Sequence, residues 1–137
     1  MSVIHYSDAK TCIEWTWPHF APHEFACNRK KCCGAVLFTK ESVKAWDAIQ
    51  AFRDEVKQPV IINSAYRCEV HNKAVGGAKH SKHLEGIAFD VRITPRLPRH
   101  VIHGAARKAG FEGIGDYNTF VHIDTREHPA YWDNMTQ

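Results

Sequence analysis

No stretch of the 137-residue chain approaches the run of about 18 to 20 apolar residues that a membrane-spanning helix requires, so membrane insertion is not expected. The first residues, Met1-Ser2-Val3-Ile4-His5-Tyr6-Ser7-Asp8, lack a basic region followed by an apolar core. The expectation is therefore cytoplasmic synthesis without a signal peptide. No basic patch interleaved with aromatics is present, and a formal charge of +3 is too small to point to nucleic acid, although it favours an anionic partner. Repeats, low-complexity tracts, linkers and heptads are also missing. Their absence, with 44% hydrophobic residues, fits one domain over residues 1–137 with its own core, acting as a monomer.

Clean cysteine pairing is missing too. The chain has five cysteines, an odd number, and no Cys-x2-Cys pair. Cys27, Cys32 and Cys33 cluster, and a second zinc site made from them and a fourth ligand competes with the plainer reading of reduced, partly buried thiols. The spacing favours the thiols, and Cys12 and Cys68 carry no pattern.

What is present begins with an arm. Residues 1–20 read as irregular, with Trp15, Trp17 and Pro18 laid over the core, and Pro22 to Cys27 as a short turn docked through Phe25. Thr39 is a plausible N-cap for a helix from Lys40 to about Lys57, because Val43, Trp46, Ile49, Phe52 and Val56 recur at helical steps. That stripe is core, and Pro59 ends the helix. Val60-Ile61-Ile62 reads as a buried strand and residues 68–82 as one long loop. A second helix is expected from Pro98 to about Lys108, with Gly110 at its C′ position, and a further strand over residues 111–115. Tyr131 and Trp132, near the end, either pack on the domain or line the rim of a cleft.

Two stretches carry the chemistry. In the first, Ile87, Phe89, Val91 and Ile93 alternate with Gly86, Ala88, Asp90 and Arg92, the period of a strand with one apolar face. Asp90 points away from that face, between residues small enough to leave room above it. In the second, Phe120, His122 and Asp124 share one face and Val121 and Ile123 the other. If the two strands pair, Asp90 and His122 meet and His83 reaches them from the preceding loop. Two imidazoles and a carboxylate suit a catalytic Zn2+ with one open position for water.

The pattern Ser81-x-His83-x-x-Gly86-x-Ala88-x-Asp90, followed by Phe120-Val121-His122-x-Asp124, resembles the signature of the M15 zinc peptidases. This group includes D-Ala-D-Ala carboxypeptidases and L-alanyl-D-glutamate endopeptidases. The blocks Asn63 to Arg67, His71-Asn72 and Val75-Gly76-Gly77 resemble the family's segment before the first ligand, so the likeness runs from about residue 25 to 126. It implies an α+β fold, a small antiparallel sheet with helices packed on it, as in hedgehog and D-Ala-D-Ala peptidase domains, with zinc in a cleft on the sheet. The ligands it implies are His83, Asp90 and His122.

The implied activity is zinc-dependent hydrolysis of an amide bond in the peptidoglycan stem peptide. Without a signal peptide, the chain resembles phage endolysins, made in the host cytoplasm and acting on the cell wall after release. Arg67 would grip a substrate carboxylate, assisted by Ser81 and His71 as hydrogen-bond donors or partners of the ligands. The chain departs from a common family pattern at Thr119, three positions before His122, where an acidic residue is usual. Asp116, an offset that the hedgehog domain also shows, and then Asp124 are the candidates for the proton acceptor. The alternative is a catalytically inactive zinc-binding module of the same fold that binds peptidoglycan or a protein partner.

Plainer readings stand beside these. With ten histidines, His5, His19, His23, His100, His103 and His128 default to surface or supporting roles. His80 competes with His83 as a ligand, and the spacing to Asp90 favours His83. Arg67 as a structural arginine paired with a core carboxylate, and Asp116 as the start of a turn in Gly115-Asp116-Tyr117-Asn118, are the corresponding alternatives.

Overall fold

A short antiparallel pair, β1 (Val3–His5) and β2 (Ala35–Leu37), brackets the N-terminal segment, with α1 (Ala9–Cys12) between the two strands. The computed structural model describes residues 2–28 and 32–136. The arm expected to be irregular thus contains a strand and a helical turn. Each is only three or four residues long, too short to produce a readable period. From the arm and the turn that follows it, Trp17, Phe20 and Phe25 enter the core, and Trp17 meets Trp46 edge-on at 5.0 Å between ring centroids. The Trp17 indole N–H is satisfied by Asp47 at 2.8 Å, so the ring is buried without an orphaned donor.

Helix α2 (Lys40–Val56) starts as its sequence indicates. The Thr39 hydroxyl accepts from the Ser42 amide at 3.0 Å, and Ser42 Oγ accepts from the Thr39 amide at 2.8 Å, a reciprocal cap. Ala45, Trp46, Ile49 and Phe52 are buried along one stripe. Lys57, at φ 54° in the left-handed region, ends the helix before Pro59.

Strand β3 (Ile62–Ser64) begins two residues later than the apolar run Val60-Ile61-Ile62. Helix α3 (Glu69–Ala74) occupies the start of the segment expected to be a loop. The order continues with β4 (Ala88–Arg92), α4 (Arg99–Ala109), β5 (Gly113–Asp116), β6 (Phe120–Asp124) and β7 (Ala130–Asp133). Gly110, at φ 100°, closes α4 in a conformation that favours glycine.

The main sheet has the order β3-β4-β6-β5-β7. The α+β architecture holds, with one correction: β7 runs parallel to β5, so the sheet is mixed rather than antiparallel. Its pleat separates two faces. Phe89, Val91, Ile114, Val121 and Ile123 join α2, Ile102 and Ala106 of α4, and the arm aromatics in one hydrophobic cluster. Each fully buried Val, Ile or Phe among them contributes about 1.5–3 kcal/mol, which anchors the sheet on its helices. Ala88, Asp90, His122 and Asp124 lie on the other face, where the functional groups collect.

Candidate metal centre

The register between β4 and β6 sets Asp90 directly opposite His122. His83 arrives from the loop before β4 and is fixed there by Ser81, whose Oγ accepts the His83 amide at 3.2 Å. His83 Nε2 lies 3.1 Å from Asp90 Oδ1, and His122 Nδ1 lies 3.2 Å from the same oxygen. One donor atom from each of the three residues falls within 4.8 Å of the others, and all three residues are buried.

The outer nitrogens decide what the inner ones offer. His83 Nδ1 donates to the Ala65 carbonyl at 2.6 Å, and His122 Nε2 donates to Asp124 Oδ2 at 2.8 Å. A carbonyl and a carboxylate only accept, so each outer nitrogen carries the ring's hydrogen. The inner nitrogens then present lone pairs toward Asp90. Without a cation, facing Asp90 Oδ1 as hydrogen bonds would require two buried imidazolium ions around one oxygen. A divalent metal reads the same atoms as two neutral nitrogen ligands and a carboxylate, each with the outer partner that such ligands need. The residues therefore fit zinc.

Without a metal, the same contacts favour an ionised Asp90 and a protonated His122, a charge pairing that a bound cation would replace. Burial alone would raise the Asp90 carboxyl, but its bonds to His122 and His83 outweigh it and hold the group well below the usual carboxylate range. Burial would lower His122, but Asp124 and Asp90 raise it on balance.

The two candidate proton acceptors take other places. Asp116 pairs with Val121 across β5 and β6, which sends its side chain to the helix face, opposite His122. There it accepts from Arg99, His103 and Tyr131, each at 2.7 Å. Asp124 is wholly buried; besides His122, it accepts three hydrogen bonds from the backbone and guanidinium of Arg126. Neither presents a free oxygen to the cleft. As placed, Asp116 bonds α4 and β7, and Asp124 bonds His122 and Arg126.

Arg67 sits half-buried at the cleft. Its Nη2 donates to Ser81 Oγ at 3.2 Å, its amide donates to the His83 carbonyl at 3.1 Å, and its buried Nε has no partner. It forms no ion pair with any carboxylate among the described residues, which removes the structural-arginine alternative there. The cleft, about 420 Å³, is lined by the three clustered residues together with Arg67, His80, Tyr117 and Trp132, among others. A neighbouring groove of about 610 Å³ shares Arg67 but none of the three, and it is this groove that His71 lines.

Trp132 lies over Gly115, where a Cβ would come within 2.2 Å of the indole. Its ring is 5.1 Å from that of His122, and the Arg126 guanidinium stacks on it at 5.0 Å. Of the two places open to Trp132 from the sequence, it takes the cleft rim. Gly115 hints at this close approach, but only the pairing of β5 with β7 identifies the ring above it.

Fold and site together define an α+β domain with a candidate metal site on the open face of a sheet. The Peptidase M15 family matches residues 18–124, and the chain belongs to that family. It is accordingly a metallopeptidase of a zinc-dependent group. No curated protein matches the chain by sequence.

Proposed function

We propose that the chain hydrolyses an amide bond in the peptidoglycan stem peptide, as an endolysin-type peptidase with zinc held by His83, Asp90 and His122. The observation that carries this reading is the pair of tautomer-locked imidazoles facing one carboxylate oxygen. Bound zinc would supply an acidified water near neutral pH and a Lewis acid for the scissile carbonyl.

The chain's own residues do the rest. Arg67, cationic and without a carboxylate partner among the described residues, receives a free carboxylate of the stem peptide through parallel N–H bonds. Ser81 holds both Arg67 and the His83 amide, so substrate binding and ligand position share one hydroxyl. Trp132 and Phe120 give the cleft apolar walls. His80 lines the cleft outside the three-residue cluster, and it takes the proton from the attacking water and returns it to the leaving amine. The endolysin assignment rests on the likeness to small phage-type members.

A second reading is favoured by one observation: Asp116 and Asp124 are both occupied, and position 119 is Thr. On it, the domain binds peptidoglycan through zinc and Arg67 without turnover. Mass spectrometry of fragments released from defined peptidoglycan separates the two. A new amine terminus at one stem-peptide bond, lost with a chelator and reduced roughly 100- to 10,000-fold in His80→Ala at unchanged zinc content, supports hydrolysis through His80. Binding without any released fragment supports the module.

A further inference from the structure

Four cysteines from three separate stretches of chain converge beside the wall of the cleft. Cys27 is fully buried and its amide donates to the Ala35 carbonyl at 2.7 Å. The Cys32 amide donates to the Asn28 carbonyl at 2.7 Å, and Cys33 follows it. Cys68, 41 residues beyond Cys27, stands just before α3, where its Sγ accepts the His71 amide at 3.4 Å. Cys68 Sγ lies 3.7 Å from Cys27 Sγ and 3.4 Å from Cys32 Sγ. With Cys33 included, all four sulfurs lie within 4.8 Å of one another, and all are free thiols.

Neutral thiols have little cause to gather in this way, because S–H is a weak donor and sulfur a weak acceptor. A tetrahedral metal gives a reason. Zinc–sulfur bonds of about 2.3 Å set sulfur–sulfur edges of about 3.8 Å, close to the two spacings observed. The group contains only sulfur, the ligand set that selects zinc over magnesium, calcium or manganese. It is also separate from the His83, Asp90 and His122 cluster, with which it shares no residue.

We propose that Cys27, Cys32, Cys33 and Cys68 form a second metal centre, a closed tetrathiolate zinc site with a structural role. On loading, one Zn2+ replaces four thiol protons, which leave to solvent, and no coordination position remains open for water. The centre staples the chain before β2 to the residue next to Arg67. Arg67 hydrogen-bonds the His83 carbonyl and Ala65 fixes the His83 ring, so the staple stiffens the wall that positions both. The sequence hides this site because Cys68 is remote from the other three and lies in no cysteine pattern.

The test uses the full chain, purified under reductant and loaded with zinc. Elemental analysis is expected to find two zinc ions per chain in the wild type, and one each in His83→Ala/His122→Ala and in Cys27→Ser/Cys68→Ser. A thiol-specific mercurial added with a zinc indicator should release one zinc from the wild type and one from the His variant, and none from the Cys variant. Cobalt bound to the His variant should show intense sulfur-to-metal charge transfer. The wild-type titration stands even if a variant fails to fold. A wild type holding one zinc that survives the mercurial would overturn the proposal, as would four thiols that react without releasing metal. A protein with both zincs and no hydrolytic activity would contradict the proposed function and leave this centre standing.

Discussion

His122 turns its Nε2 hydrogen onto Asp124, 2.8 Å away, and that bond leaves Nδ1 as the only lone pair the ring can offer toward Asp90 and His83. Asp124 thereby sets the tautomer of a candidate ligand without joining the three-residue cluster itself. Asp124→Ala is expected to weaken zinc binding roughly 10- to 100-fold, the usual effect of removing such an outer partner. Competition with a chelator of known affinity measures it. Unchanged affinity in a folded variant would show that Asp124 does not orient His122.

Asp116 bonds Arg99 and His103 of α4 and Tyr131 of β7, which predicts a structural effect of its replacement and none on chemistry. Asp116→Asn should cost about 2–3 kcal/mol of stability, the scale of hydrogen bonds to a charged group, while zinc content and turnover of the folded protein stay as in the wild type. Burial would raise this carboxyl, but Tyr131, His103 and Arg99 outweigh it and hold it below its ordinary value. The folded state thus favours the ionised form. The stability difference between wild type and variant should be full above about pH 5 and shrink as pH falls below about 4, the unfolded value, toward the depressed folded one. Denaturant melts across that range measure it; a difference that grows on acidification would contradict the assignment.

Arg67 should act on substrate binding and not on the metal. Arg67→Ala is expected to raise KM roughly tenfold to a hundredfold for a stem peptide with a free carboxylate, matching the loss of charge-assisted hydrogen bonds. The effect should disappear for the same peptide amidated at that carboxylate. An equal penalty on both peptides would place Arg67 in a structural role.

Two glycines should respond in opposite directions. Gly115→Ala drives a Cβ into Trp132 and should destabilise by about 1–3 kcal/mol, with a changed near-UV signal from the indole. Gly104, exposed in α4 with no heavy atom within 4 Å of an added Cβ, should accept Ala with a gain of about 0.4–1 kcal/mol. Thermal melts of the two variants, run side by side, check both signs.

Much of this is legible along the chain, where local chemistry decides. The Thr39 cap, the stripe from Trp46 to Phe52 and the stop near Gly110 are written within a few residues of where they act. The alternation around Asp90 and His122 likewise shows which residues share a strand face. What escapes is register and distance. Asp116 lies opposite Val121, on the helix face; pairing one residue along would have put it beside His122, and nothing in the sequence distinguishes the two. The strand Ala130–Asp133 is an edge strand with no fully buried residue, so it lacks the apolar signal that marks β4 and β6. Cys68 meets Cys27 and Cys32 only because β3 delivers it there.

The central claim is that His83, Asp90 and His122 hold one zinc ion, and anomalous diffraction at the zinc edge from zinc-loaded crystals tests it most directly. The account predicts a peak bonded to His83 Nε2, His122 Nδ1 and an Asp90 oxygen, at about 2.0–2.2 Å from each. A zinc-loaded crystal with no peak among these three residues, or with the metal held there by other side chains, would contradict it.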